Sequence, residues 1–250
     1  MSMSTAVAPA RIADESPRLL VRIAGALYLI NIVVGAFAIG YVPAAIVVPG
    51  NAAATAQNIL THELLYRSGL VAHLIVLPTN IGLALIFYDL FKVVNRRLAL
   101  LVVFFTLVGT AVEGANLVNQ FTPLIILTGG HTSSGLTAEQ LQALASTPLR
   151  LQAVGYDVQQ VIYTGYLLAA GYLIVRSTFL PRILGVLLAI GALCYLTYSL
   201  ADLLSPEFAT RLVPYIQAPS GVAELSLCLW LLAIGVNDQR WKEQASKQSP

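Results

Sequence analysis

The sequence predicts an all-α integral membrane protein, a bundle of six transmembrane helices with both termini in the cytoplasm. Composition is the first observation behind this class. The chain of 250 residues is 57% hydrophobic and only 10% charged, with a mean hydropathy of +0.77, whereas a soluble domain carries about 25% charged residues. The other two observations are apolar runs long enough to cross a bilayer and Lys and Arg residues gathered at one set of their ends.

The chain divides into a polar tail, a membrane domain and a charged tail, at 1–21, 22–236 and 237–250. The apolar runs predict helices at about 23–41, 64–91, 98–128, 151–175, 181–204 and 220–236. The first run lacks a small-residue cleavage site followed by a polar mature domain, so we expect an anchoring helix rather than a cleaved signal.

The connections carry their own signals. Asn51 follows a Pro-Gly turn and is predicted to cap a short helix outside the first span. Glu63 and Arg67 open the second helix, and a short basic turn at 92–97 separates it from the third. Thr137, followed three residues later by Gln140, resembles a capping box that opens a further surface helix before the fourth span.

The distribution of basic residues predicts the orientation. With the N-terminus inside, eleven of the fourteen Lys and Arg residues fall on the cytoplasmic side. Only three fall on the opposite side: Arg67, Arg150 and Arg211. By the positive-inside rule, both termini are cytoplasmic and the three longer connections face outward.

Polar residues interrupt the third predicted helix near its centre. Glu113, Asn116 and Gln120 fall within an arc of about 60° on one helical face, and Asn119 lies beside them. A carboxylate at this depth costs about 2.5–3.5 kcal/mol on insertion scales. This face must therefore contact protein or trapped water instead of lipid.

Counting from the outer helix ends, five of the six helices place ionisable groups in the outer half of the membrane. These groups predict a hydrated, outward-opening pocket, because carboxylates facing lipid would together cost on the order of 10 kcal/mol. The candidate lining residues are Arg67, His73, Glu113, Asn116, Asn119, Gln120, Asp157, Gln160, Tyr198, Asp202 and Glu224.

Simpler interpretations remain beside this one. Glu63 and Arg67 also fit an exposed i, i+4 pair, and His73 fits a helix–helix hydrogen bond. Asp202 and Glu224 also fit solvated positions at the headgroup level. The tyrosines of the fourth and fifth helices fit packing, an interfacial belt or a binding wall.

No recognisable catalytic, nucleotide or metal motif is present, and we expect no cofactor and no metal site. There is no HExxH, GxSxG, Walker loop or GxGxxG opening a helix. Cys194 and Cys228 lie in apolar runs and are interpreted as buried hydrophobes. A net charge of +2 with no basic stripe argues against a nucleic-acid partner.

Short motifs spread along the chain resemble a bacterial membrane family, the domain of unknown function 4386. The matching stretches are Arg22-Ile-Ala-Gly25, Val48-Pro-Gly-Asn-Ala-Ala-Ala-Thr55, Glu63-Leu-Leu-Tyr-Arg67, the Asn95-Arg96 turn and Phe179-Leu-Pro-Arg-Ile-Leu-Gly185. The resemblance spans about Arg22 to Val236. It implies a six-helix protein of the bacterial cytoplasmic (inner) membrane, and it brings no established activity.

The leading hypothesis is a membrane protein that binds or transports a small molecule, a cation or a lipid headgroup through the outward-facing pocket. Glu113 is the predicted buried acid and Arg67 the predicted group at the mouth. The rival hypotheses are an intramembrane enzyme that uses carboxylates as a general base or to hold a metal, and a structural or interaction protein. An enzyme would bring His73 and Glu113 within hydrogen-bonding reach of one water or metal. A binding protein would have a pocket large enough for a ligand. A structural protein would have a closed core in which every polar group is paired.

Overall fold

The computed structural model describes residues 17–129, 135–213 and 215–247. In these ranges the regular structure is helical throughout, with no strand. The helices are α1 Arg18–Gly35, α2 Val42–Ile46, α3 Ala52–Thr61, α4 Glu63–Gly129, α5 Ala138–Arg176, α6 Arg182–Leu204, α7 Pro206–Leu212, α8 Ala218–Ala233 and α9 Asp238–Ser246. A π-helical segment, Ala36–Tyr41, joins α1 to α2 without a break in the helical path.

Several helix ends are fixed by side chains that the sequence singled out. The Asn51 side chain accepts a hydrogen bond from the Ala54 amide at the start of α3, as predicted. Thr137 and Gln140 form the predicted capping box at the start of α5. Each cap satisfies backbone N–H groups that have no partner inside the helix.

Helix α4 is a helical hairpin. Its 67 residues are interrupted at Asn95, whose backbone is extended and whose side chain accepts a hydrogen bond from the Leu98 amide. Across this break the halves 63–94 and 96–129 run antiparallel, because Tyr66 reaches Gln120 and His73 reaches Glu113. The KVVNRR segment is therefore the bend of the hairpin, where the sequence predicts a turn.

Within the described ranges, four helical segments qualify as membrane spans by length and hydropathy alone, and a fifth qualifies if α8 and α9 are taken together. These two helices meet at 99°. The lateral surface is rich in exposed aliphatic side chains such as Val108, Leu193 and Val222. An apolar surface of this extent is typical of a chain embedded in lipid rather than water.

The long helices form a closed ring. Helix α4 packs on α5, α5 on α6, α6 on α8, α8 on α1, and α1 returns to α4. One apolar cluster, around Phe87, Phe91 and Leu173, fills the end of the ring that holds both ends of the described chain. A second, smaller cluster fills the opposite end, around Ile46, Ile59 and Leu124.

The segment expected to be a charged tail contains helix α9, which packs against the first cluster. Trp241 is buried, and its indole Nε1 donates to the Leu90 carbonyl oxygen over 3.0 Å. Arg18 at the start of α1 pairs with Asp238 at 2.5 Å. Both ends of the described chain therefore lie at the same end of the ring.

Candidate functional site

A cavity of about 620 Å³ lies inside the ring. It receives side chains from α1, both halves of α4, α5, α6 and α8. Its acidic and imidazole groups are Glu113, Asp157, Asp202, Glu224 and His73, and no described Lys or Arg lines it. A cavity of this volume is within the range of small-molecule sites, and its titratable groups favour a positively charged or hydrogen-bonding occupant.

Three tyrosines converge on Glu224 in the deep part of the cavity. The hydroxyls of Tyr28 and Tyr163 both donate to Glu224 Oε2, over 3.0 and 2.7 Å, and Tyr195 lies within hydrogen-bonding reach of the same carboxyl group. These donors come from α1, α5 and α6. They stabilise a carboxylate without adding a positive charge.

A buried chain of polar groups joins the two halves of α4. His73 Nε2 lies 2.7 Å from Glu113 Oε1, and His73 Nδ1 lies 3.2 Å from Gln120 Oε1. If Nδ1 carries its proton toward the amide oxygen, the histidine and the carboxyl group share the proton between Nε2 and Oε1. The arrangement can hold a proton at a defined position.

One oxygen of the buried Glu113 carboxyl group has no partner among the described residues. Glu113 is 6% exposed; its Oε1 lies 2.7 Å from His73 Nε2, whereas its Oε2 has no hydrogen-bond partner. Buried polar atoms are almost always paired, and an exception calls for a specific explanation. Glu113 Oε2 is therefore a place where an occupant of the cavity would gain a partner.

A second pair of acids lies between α5 and α6. The carboxyl groups of Asp157 and Asp202 approach each other, and Tyr198 lies beside them. Asp157 is 4% exposed, whereas Asp202 is partly exposed. Two close carboxyl groups share a proton or recruit a cation, because both cannot hold a full negative charge at low cost.

A family model for the domain of unknown function DUF4386 matches residues 23–235. The chain belongs to this family. The match runs from the first turns of α1 to the end of α8 and includes every residue that lines the cavity. No curated protein and no solved structure matches the chain.

In this DUF4386 member, eight of the predicted pocket residues line the cavity. They are His73, Glu113, Gln120, Asp157, Gln160, Tyr198, Asp202 and Glu224. They were selected from five different predicted spans by their depth along each helix. The rotation of each helix brings all eight to the inside of the ring.

Three predicted pocket residues lie elsewhere. Arg67 is exposed and pairs with Glu63 at 2.6 Å, the i, i+4 alternative left open by the sequence. Asn116 is buried against α5, where it donates to the Gln152 carbonyl oxygen over 2.9 Å. Asn119 donates to Asn116 over 3.2 Å. Among the described residues, no arginine therefore lies at the cavity wall, and Asn116 and Asn119 serve helix packing.

Sequence reasoning missed the contribution of α1. Tyr28 and Asn31 both line the cavity, and the Asn31 side chain donates to Asn80 Oδ1 over 2.7 Å. Thr79 also donates to Asn31. A signal was available, since Tyr28 and Asn31 are three residues apart and hence on one face of an otherwise apolar helix.

The tyrosines of the fourth and fifth predicted helices, left open between packing, an interfacial belt and a binding wall, include three that line the cavity. Tyr163 stacks on Tyr166, and Tyr195 is tilted against Tyr163. Within the described ranges, no group of three or more His, Cys, Asp or Glu side chains is placed to hold a metal ion.

Proposed function

We propose that this protein binds a small molecule in its central cavity and presents that cavity to the outside of the cell. The observation that carries the proposal is the cavity of about 620 Å³ lined by four carboxyl groups. A structural protein with a closed, fully paired core does not fit this interior. Glu113 Oε2, which has no partner among the described residues, supports a ligand that completes the pairing.

The proposed topology has six spans, contributed by α1 with α2, the two halves of α4, α5, α6 and α8. A straight helix of 67 residues would be about 100 Å long, more than three times the hydrocarbon core, so the break at Asn95 supports two spans. The Arg18–Asp238 pair supports an even number of crossings, because it joins the two ends of the described chain.

We further propose that both termini face the cytoplasm of a bacterial inner membrane. The positive-inside count supports this orientation. It directs α2, α3 and the region around Asp202 outward, and the cavity lies closer to that side than the packed cluster around Phe87 and Phe91. The occupant would then enter from outside, between the π-helical segment of α1 and the first turns of α8.

Cysteine labelling tests the outward opening. In a background with Cys194 and Cys228 replaced by alanine, Thr110→Cys puts a thiol on the cavity wall, and Val108→Cys puts one on the lipid-facing surface of the same helix. We expect a membrane-impermeant methanethiosulfonate reagent, added to intact cells, to modify Thr110→Cys and to leave Val108→Cys unmodified.

Two labelling results would contradict the proposed outward opening. Modification of Thr110→Cys in inverted membrane vesicles but not in intact cells would show a cavity that opens to the cytoplasm. No modification in either preparation would show a closed interior. Either outcome overturns the proposed function as an outward-facing binding protein.

One observation favours a second candidate, an intramembrane enzyme. His73 Nε2 and Glu113 Oε1 lie 2.7 Å apart beside the cavity, as a general acid–base pair requires. The discriminating experiment compares lipid and metabolite extracts of cells that produce the wild type or His73→Gln. A product that accumulates only with the wild type supports catalysis, and identical extracts support binding alone.

A further inference from the structure

We propose that the occupant of the cavity is an organic ammonium cation, with Glu224 as its counter-ion and tyrosine rings as its walls. This inference rests on the proposed function and specifies the ligand class of the same cavity. It is carried by three independent features of the described residues: the charge of the lining, the geometry around Glu224, and the aromatic faces next to it.

The charge of the lining is one-sided. Four carboxyl groups face the cavity, and His73, the one imidazole there, is already engaged with Glu113. The described cations predicted on the same side of the membrane do not line the cavity: Arg67 pairs with Glu63, and Arg150 is exposed. A buried carboxylate without a cationic partner is costly, so a positive occupant is stabilised here and an anionic one is repelled.

Hydrogen bonds orient the Glu224 carboxylate before a cationic ligand binds. Two phenol hydroxyls, from Tyr28 and Tyr163, donate to one and the same oxygen, Oε2. Neutral donors fix the orientation of a carboxylate and leave its charge uncompensated. The carboxylate is therefore held in place before the ligand arrives, which lowers the cost of ordering on binding.

Aromatic faces surround this acid. Tyr163 stacks on Tyr166 with ring centroids 5.1 Å apart, and Tyr195 is inclined to Tyr163 by 59° at 6.3 Å. Inclined aromatic rings beside a carboxylate are the arrangement that recognises alkylammonium groups, which are attracted to the ring faces and poorly hydrated. Tyr156 and Phe105 extend the aromatic wall toward the rest of the cavity.

An inorganic cation fits the same residues less well. Divalent ions require several oxygen ligands at 2.0–2.6 Å in a compact cage, and among the described residues no group of three or more His, Cys, Asp or Glu could supply one. The volume of about 620 Å³ also far exceeds that of a single ion. An organic cation can contact carboxyl groups that lie apart on the wall, and it is large enough to fill more of the cavity than an inorganic ion.

The test uses two probes of nearly the same shape, choline and its neutral analogue 3,3-dimethyl-1-butanol. Binding of each to the purified full-length protein in detergent is measured by isothermal titration calorimetry. We expect choline to bind at least about tenfold more tightly than the alcohol, since tenfold corresponds to a modest charge interaction. We expect Glu224→Gln to abolish this preference and Glu63→Gln, at an exposed ion pair, to preserve it.

The tyrosine walls are tested by two substitutions at one position. Tyr195→Phe keeps the ring and removes the hydroxyl, whereas Tyr195→Leu removes the aromatic face. We expect choline affinity to fall by several-fold to about thirtyfold in Tyr195→Leu and to change less in Tyr195→Phe. Equal losses in both variants would assign the effect to the hydroxyl and overturn the aromatic part of the proposal.

A covalent readout keeps the proposal testable if a binding variant unfolds. Gly221→Cys lies one turn before Glu224, and a Cβ placed there meets no atom within 4 Å. We expect a trimethylammonium methanethiosulfonate to modify this cysteine at least about tenfold faster than the sulfonate analogue, relative to the same two rates at Ala53→Cys in α3. We also expect millimolar choline to slow the reaction.

The two proposals fail in different ways. Modification of Thr110→Cys from outside, together with equal rates for the two charged reagents and no preference for choline, would leave the binding function in place and overturn the ammonium ligand. Failure of every reagent to reach both Thr110→Cys and Gly221→Cys would overturn both.

Discussion

At the scale of the residue, the buried His73–Glu113 pair is costly to desolvate. Its two ionisable side chains are almost completely buried, at 1% and 7% exposed. Burying such a pair costs desolvation energy that its attraction often fails to recover, so stability is a weak reason for its presence. A role in holding a proton or a ligand accounts for the pair better.

Replacing Glu113 measures this directly. Glu113→Gln keeps an acceptor for His73, whereas Glu113→Leu leaves the buried imidazole without one, at a cost of about 1–3 kcal/mol. We expect Glu113→Leu to lower the thermal unfolding midpoint in detergent more than Glu113→Gln does. We also expect His73→Leu combined with Glu113→Leu to recover part of the loss, because no polar partner is then left alone.

Tolerance of Glu113→Leu, with unchanged choline binding and no effect on cells, would refute the functional acid. The exposed pair of Glu63 and Arg67 provides the control. Its removal by Glu63→Gln should change the unfolding free energy by less than about 1 kcal/mol, as for other solvated pairs.

At the scale of the element, close approach of α5 and α6 sets the shape of the cavity wall. A Cβ at Gly171 would lie 2.8 Å from the Gly185 carbonyl oxygen, and one at Gly185 would meet the Gly171 carbonyl. Small residues at such crossings let helix backbones pack directly in a membrane. This crossing fixes the distance between Tyr163 on α5 and Tyr195 on α6.

A single methyl group tests that crossing. Gly171→Ala meets rigid backbone, so we expect a loss of about 1–3 kcal/mol in the unfolding free energy, together with weaker choline binding as the helices separate. Gly114→Ala is the matched control, because its Cβ would meet only Leu77 Cδ1 at 3.5 Å. Its helix should gain up to about 1 kcal/mol. Equal stability of the two variants would contradict the close approach.

At the scale of the whole molecule, a polar interior is held between two apolar ends. The cluster around Phe87 and Phe91 closes the end where the described chain begins and ends, and α9 covers it through Trp241. The cluster around Ile46 and Ile59 is smaller and lies at the opposite end. With the proposed orientation, the sealed end faces the cytoplasm.

Reporter fusions test the topology of the whole chain. We expect green fluorescent protein fused after Pro250 to fluoresce, and alkaline phosphatase fused after Gly129 to be active, because the phosphatase matures only outside the cytoplasm. The reverse pattern would invert the proposed orientation. Fluorescence at Pro250 with an inactive phosphatase at Gly129 would instead contradict the hairpin as a pair of spans.

The sequence by itself determined the features that depend on local physics. Hydropathy predicted the helices, hydrogen-bonding side chains predicted the caps at Asn51 and Thr137, and short motifs predicted the family. The position of each acidic residue along its helix also predicted which carboxyl groups lie at a similar depth in the bundle. The six-span count and the orientation stay predictions, since they depend on the membrane as well as on the chain.

Only the tertiary structure decided which polar groups share a space. Glu113, Asn116 and Gln120 form one stripe in the sequence, yet packing directs the first and last toward His73 and the middle one toward α5. The same packing sends Arg67 to the surface and brings Tyr28 to Glu224, 196 residues away. The rotation of each helix about its axis is set by the helices that pack against it. The spacing of polar residues along one helix does not specify which helices those are.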